Sequence, residues 1–149
     1  MHVADRIRLH SVELVTLATT TVERAQLPHY AASEGGATAT YLRDLLDVVA
    51  ASLDEAKPLL MAEHADRLAT ERFLAGFKIE ELLTAFNALE TTLWLFLAAS
   101  LPAEEALIEL GRLGAVLGAG KDQIASRYVE LATQRHAHGV DLAGLDAVL

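Results

Sequence analysis

The stretch Arg72–Leu97 reads RFLAGFKIEELLTAFNALETTLWLFL, and its interpretation decides the fold. Gly76 stands where a helix should end, because glycine takes the left-handed backbone that closes a helix C-terminus. Glu80 and Glu81 then open the next helix, where acidic residues favour the positive end of its dipole. That helix carries Leu82, Leu83, Phe86, Leu89, Leu93, Trp94 and Leu97, spaced as one apolar face. Such a helix belongs at the core of a small all-α domain.

Composition supports this outward from the core helix. The 149 residues suit a single domain, and 52% are apolar but only 5% aromatic, so the core must be mainly Leu, Ala and Val. Three prolines and few turn dipeptides favour long helices over strands. The net charge of −9, with twelve Lys and Arg scattered among acids, argues against a nucleic-acid surface. Without cysteine there is no disulfide, thiolate nucleophile or Cys-ligated metal. The first ten residues, MHVADRIRLH, are too charged for a signal peptide, and no eighteen consecutive residues are apolar. A cytoplasmic protein that does not span a membrane is expected.

Before the core helix, three segments read as helical. Val3, Ile7, His10, Leu14 and Leu17 alternate steps of four and three, which predicts a helix over Val3–Ala25 with an a/d seam. Leu27–Thr40, containing Pro28 and Gly35–Gly36, reads as the principal loop. A second helix should span Thr40–Ala56, with Leu42, Leu45, Leu46, Val49 and Leu53 inward, until Lys57–Pro58 breaks it. The third, Leu59–Ala75, directs Ala65, Leu68, Ala69 and Phe73 inward and carries a solvated Glu63–Arg67–Glu71 ladder.

Beyond the core helix, Pro102 and Glu104–Glu105 start a fifth helix from Ala103 to about Arg135. Leu107, Leu110, Leu113, Leu117, Ile124, Tyr128 and Leu131 continue its apolar register. The domain is expected over residues 1–139, with 140–149 a short tail. The run GRLGAVLGAGKD fails as a phosphate loop: Ala115 replaces the required glycine, Asp122 the Ser or Thr, and no strand precedes it. The pairs Gly111/Ala115 and Gly114/Gly118 instead form a small-residue face for close helix packing, within the chain or between subunits. His10 and Leu14 in the first-helix seam offer a second candidate dimer face.

Four residues are candidates for a ligand pocket or for polar groups at the core. Glu90 lies four residues from both Phe86 and Trp94, so its carboxylate needs a partner such as Arg72 or carries a raised pKa. A carboxylate at the core edge that reaches solvent explains the same position. His64 borders the inward stripe of the third helix, where a satisfied core-edge histidine is the plainer reading. Neither His136/His138 nor Glu63/His64 has metal-ligand spacing, and no Ser-His-Asp order or Gly-x-Ser-x-Gly elbow occurs. Carboxylate-bridged metals would need Glu-x-x-His pairs, which are absent. No metal, cofactor or enzymatic activity is expected.

Arg72-x-x-x-Gly76, followed by Ile79-x-x-Leu82-Leu83 and then Leu93-Trp94, resembles the N-terminal sensory domain of RsbR/RsbRD-type stressosome co-antagonists. The likeness covers Leu59 to about Tyr128. It implies an all-helical, globin-like fold without haem, dimeric and feeding a signal to an output domain. It places Arg72 and Gly76 at a helix end and turn, and Leu82, Leu83 and Trp94 in the core. Those proteins carry a C-terminal STAS domain, for which this sequence has no room, so direct phosphoswitching is not expected. The expectation is a signalling module acting through homodimerisation and a protein partner. The rival is a helical sensor that holds a small ligand or haem in the Leu/Phe/Trp core, though haem needs a proximal histidine and only His64 lies on a core helix.

Overall fold

Seven helices make up the described part of a computed structural model, which covers the backbone of residues 2–31, 36–55 and 57–148; the side chains of residues 31, 55, 58 and 138–148 lie outside that description. In order they are α1 (Val3–Leu9), α2 (Ser11–Arg24), α3 (Pro28–Ala31), α4 (Ala37–Glu55), α5 (Pro58–Leu74), α6 (Ile79–Ser100) and α7 (Ala103–Val148). The all-α class stands, with no strand among the described residues.

The expected first helix divides at His10, whose backbone leaves the helical region (φ −104°, ψ 18°). After this break the inward stripe follows Leu14, Ala18 and Val22, a true 3.6-residue period, so Leu17 is rotated out and 60% exposed. The principal loop holds the single helical turn α3, and α4 begins three residues earlier than Thr40. Leu42, Leu45, Leu46, Val49 and Leu53 are all buried as their spacing predicts. Lys57 is extended (φ −118°, ψ 90°) because it precedes Pro58, and α5 starts at that proline.

The α5–α6 turn is a Schellman motif. Gly76 has φ +88°, Phe77 N donates to Arg72 O at 2.9 Å and Gly76 N to Phe73 O at 3.1 Å. A side chain at Gly76 would be strained, which is why the helix stops there. In α6, Leu82, Phe86, Leu89, Leu93 and Leu97 are fully buried, with Leu83 half-buried. Trp94 is not a core residue: it is 50% exposed, one residue and about 100° round the helix from Leu93.

α7 lies along α5, α6 and α4. Its inward stripe is Ala106, Leu110, Leu113, Leu117, Gly120, Ile124 and Tyr128, again in steps of four and three. Leu107 falls off that stripe and is 74% exposed, so Ala106 fills the first inward position in its place. The helix continues to Val148 instead of ending near Arg135; the amphipathic pattern expected of the tail concerns side chains outside the description. By length and composition α6 is the one helix among the described residues apolar enough to cross a membrane, with a mean hydropathy of 1.4, and here it packs against α2 and α7.

Candidate functional site

The α5–α6 turn gathers five elements. Glu81, at the third position of α6 and only 2% exposed, accepts a hydrogen bond from Lys78 N at 3.0 Å, so it caps its own helix as its place in the sequence suggests. The same carboxylate also accepts from His29 N at 3.2 Å and contacts His29 Nδ1 at 2.8 Å. Burial pushes the Glu81 carboxyl up, but the His29 side chain, then the two backbone donors, outweigh it and hold it below the ordinary carboxylate range. The His29 ring lies 4.7 Å from Phe77, and Tyr128 of α7 donates its hydroxyl to Phe77 O at 2.8 Å. Neither long-range contact is visible in local spacing. His29 sits in the expected loop, 52 residues from Glu81.

Arg72 does not pair with Glu90. Its guanidinium lies 4.7 Å from the Phe77 ring centroid, 5.2 Å from Tyr41 and 5.9 Å from Tyr30. No carboxylate or hydrogen-bond acceptor meets it among the described residues. Glu90 instead contacts Lys121 of α7, Oε2 to Nζ 2.7 Å. The four candidates therefore separate into two pairs. Glu90 and Trp94 line a shallow hollow of about 350 Å³ on the outside of α6, with Asn87, Thr91 and Leu95. His64 and Arg72 line a cleft of about 390 Å³ between α4 and α5.

That cleft is polar at its rim and aromatic at one end. Thr40, Tyr41 and Asp44 come from α4, and His64, Arg67, Leu68, Glu71 and Arg72 from α5. The antiparallel packing of two adjacent helices brings these residues together, each on the flank beside its helix's inward stripe. Glu63, Arg67 and Glu71 are exposed as expected, but no ion pair joins them among the described residues. Burial lowers the His64 imidazole pKa, Arg67 lowers it further, and Asp44 and Glu71 oppose the shift. His64 Nε2 is shielded from water with no hydrogen-bond partner among the described residues, whereas the equally shielded Tyr41 hydroxyl has the Tyr30 side chain as its hydrogen-bonding neighbour. Burial drives the Tyr41 hydroxyl well above its usual pKa, so it stays a neutral donor.

The remaining candidates lie elsewhere. His10 is half-buried, its ring 5.2 Å from Phe96 of α6, and Leu14 is buried, while Leu17 of the same seam is exposed and both leucines line a hollow of about 710 Å³ with Leu95 and Phe96. Gly111, Gly114 and Ala115 are exposed and Gly118 is half-buried. A Cβ at any of the three glycines would meet nothing within 4 Å. Asp66 on α5 and Gln123 and Arg127 on α7 form a further cluster, with Arg127 Nε and Nη2 reaching Asp66 at 2.8 and 2.9 Å; these hydrogen bonds hold the Asp66 carboxyl below its ordinary value. Among the described residues no three His, Asp or Glu side chains converge as a metal site. His136 is exposed, and the side chain of His138 lies outside the description.

Comparison with protein-family models, with curated proteins and with solved structures gives no match to this chain.

Proposed function

We propose that the chain is a non-enzymatic signalling module that acts through homodimerisation and protein contact, in the manner of the globin-like RsbR/RsbRD-type sensory domains it resembles. Stress-response regulation is the setting that likeness suggests. The supporting observation is the open small-residue face of α7. A glycine inside a helix is about 1 kcal/mol less favourable than alanine. Gly111, Gly114 and Gly118 repeat that penalty, and no contact among the described residues requires it. Close approach of a second helix gives their size a purpose. Leu107 and Ile108, both exposed, extend the same end of the helix in apolar side chains. Sedimentation equilibrium tests the reading. A dimer at micromolar concentration supports it, and a strict monomer at high micromolar concentration refutes it.

A second reading, a small-ligand sensor, is favoured by one observation: Arg72, a half-buried cation without a counter-ion among the described residues, lines the α4/α5 cleft. That cleft is at the surface, so this version does not use the Leu/Phe core or haem.

A further inference from the structure

A buried or half-buried charge is expensive unless something pairs with it. Arg72 has three aromatic faces against its guanidinium, which offset part of that cost and fix the plane of the group. They do not accept its N–H bonds, and a guanidinium carries five donors in a rigid fork. His64 Nε2, in the wall of the same cleft, is likewise without a partner among the described residues. Buried polar atoms nearly always have partners, so an orphaned imidazole nitrogen beside a guanidinium that meets no acceptor among the described residues marks a place where a ligand's polar group belongs.

Charge selects the kind of acceptor. Arg67 and Arg72 are balanced by Asp44 and Glu71, so the cleft as a whole is neutral. Against the two carboxylates on the rim a monoanion meets half the repulsion that a dianion does. A carboxylate's two oxygens match the guanidinium fork. Leu68, Ala37 and the Tyr41 ring supply apolar wall beside it. The volume of about 390 Å³ equals that of roughly a dozen waters at about 30 Å³ each, room for a small alkyl or aryl group.

We propose that the α4/α5 cleft binds a small organic monocarboxylate, with its carboxylate on Arg72 and its apolar body against Leu68 and Tyr41. The site goes beyond the signalling reading and stands whether or not the chain dimerises. Arg72 O also accepts the Schellman hydrogen bond from Phe77, so an occupant bears directly on the turn that Glu81, His29 and Tyr128 hold together.

Nuclear magnetic resonance of the full chain, titrated with benzoate and separately with inorganic phosphate, tests this. Benzoate is expected to give saturable shifts at Arg72 Nε–Hε, Tyr41 and His64, with phosphate at least tenfold weaker. Asp44→Asn and Glu71→Gln should each tighten benzoate on the order of threefold to tenfold, by removing a like charge from the rim. Arg72→Gln should abolish binding. Because that change also touches the aromatic cluster, the exposed rim substitutions decide the matter. No saturable shift at these residues by about 10 mM, the weak end of specific recognition, overturns the proposal. Phosphate binding as tight as benzoate, or rim variants without effect, overturns it equally. Sedimentation of the same samples separates this outcome from that of the dimer.

Discussion

On the inner side of α7 a Cβ at Gly120 would stand 2.7 Å from Phe86 Cε1 and 3.0 Å from Met61 Cγ and Sδ, whereas at Gly111, Gly114 and Gly118 it would meet nothing within 4 Å. One helix thus uses glycine in two ways. At Gly120 the missing methyl lets α7 close on the α5 and α6 side chains, and the packing offsets the helix-propensity penalty. On the other flank nothing among the described residues compensates the penalty. The difference teaches that a small residue in a helix carries no fixed meaning: the neighbour decides it, and where no neighbour exists in the chain, one from outside is the natural candidate.

The largest effect should come from filling the inner position. Gly120→Val forces a branched side chain into Phe86 and Met61, both fully buried, and should destabilise the fold by about 3 kcal/mol in urea denaturation. A neutral result would mean that the inner face is looser than its contacts indicate.

Next comes the turn against which α7 is anchored. Glu81→Gln, at a buried acceptor of three hydrogen-bonding groups, should lower stability by about 2 kcal/mol at pH 7. Since the folded Glu81 carboxyl is held below its ordinary 4.5, its contribution is present above that pH and is lost as pH falls through the folded value. The variant should therefore show a shallower acid decline below pH 4.5 than the native chain.

Gly111→Ala and Gly114→Ala should act in the opposite direction. Each should stabilise the isolated chain by about 1 kcal/mol through helix propensity, read from denaturation at a dilution that disfavours association. Each should at the same time weaken self-association. Stabilisation without any change in association would assign these glycines no role at all.

His64 gives a smaller, pH-dependent effect. Its folded pKa lies below 6.5, so on acidification the unfolded chain takes up the proton first and stability declines below pH 6.5. His64→Gln should remove that part of the pH profile and leave the acid limb set by Glu81 and Asp66. The smallest effect is expected at the part-exposed pair between α6 and α7: Lys121→Met should shift stability by about 0.5 kcal/mol through loss of its contact with Glu90.

Most of the fold was legible because helical periodicity is a local signal. The buried set of α4, the Gly76 stop, the Pro58 start and the stripe of α6 all follow from residues within one or two turns of one another. Errors arose where a residue lay one position off a stripe. Trp94 and Leu107 are apolar neighbours of the inward stripes and join them in an apolar register, but the angle of each on its helix points it away from the core. Leu17 stands one position short of Ala18, where the stripe that Leu14 begins continues in a step of four toward Val22, so it too points outward. The site was less legible. Arg72 and His64 could be chosen as polar residues bordering apolar stripes, but their meeting in one cleft depends on how α4 lies against α5. The Glu81–His29 pair was missed as a tertiary contact, since its two halves are 52 residues apart and one occupies an irregular loop. The partner that Glu90 needs is Lys121 and not Arg72, and this too depends on how α7 lies against α6.

In the function proposed above, the open flank of α7 receives a second copy of the chain. Sedimentation velocity at high micromolar concentration, comparing the native chain with Gly114→Leu, tests it most directly. A native dimer that becomes a monomer on substitution, with thermal unfolding of the monomer undiminished, is the predicted result. A native monomer, or a dimer that tolerates leucine at that position, would contradict it.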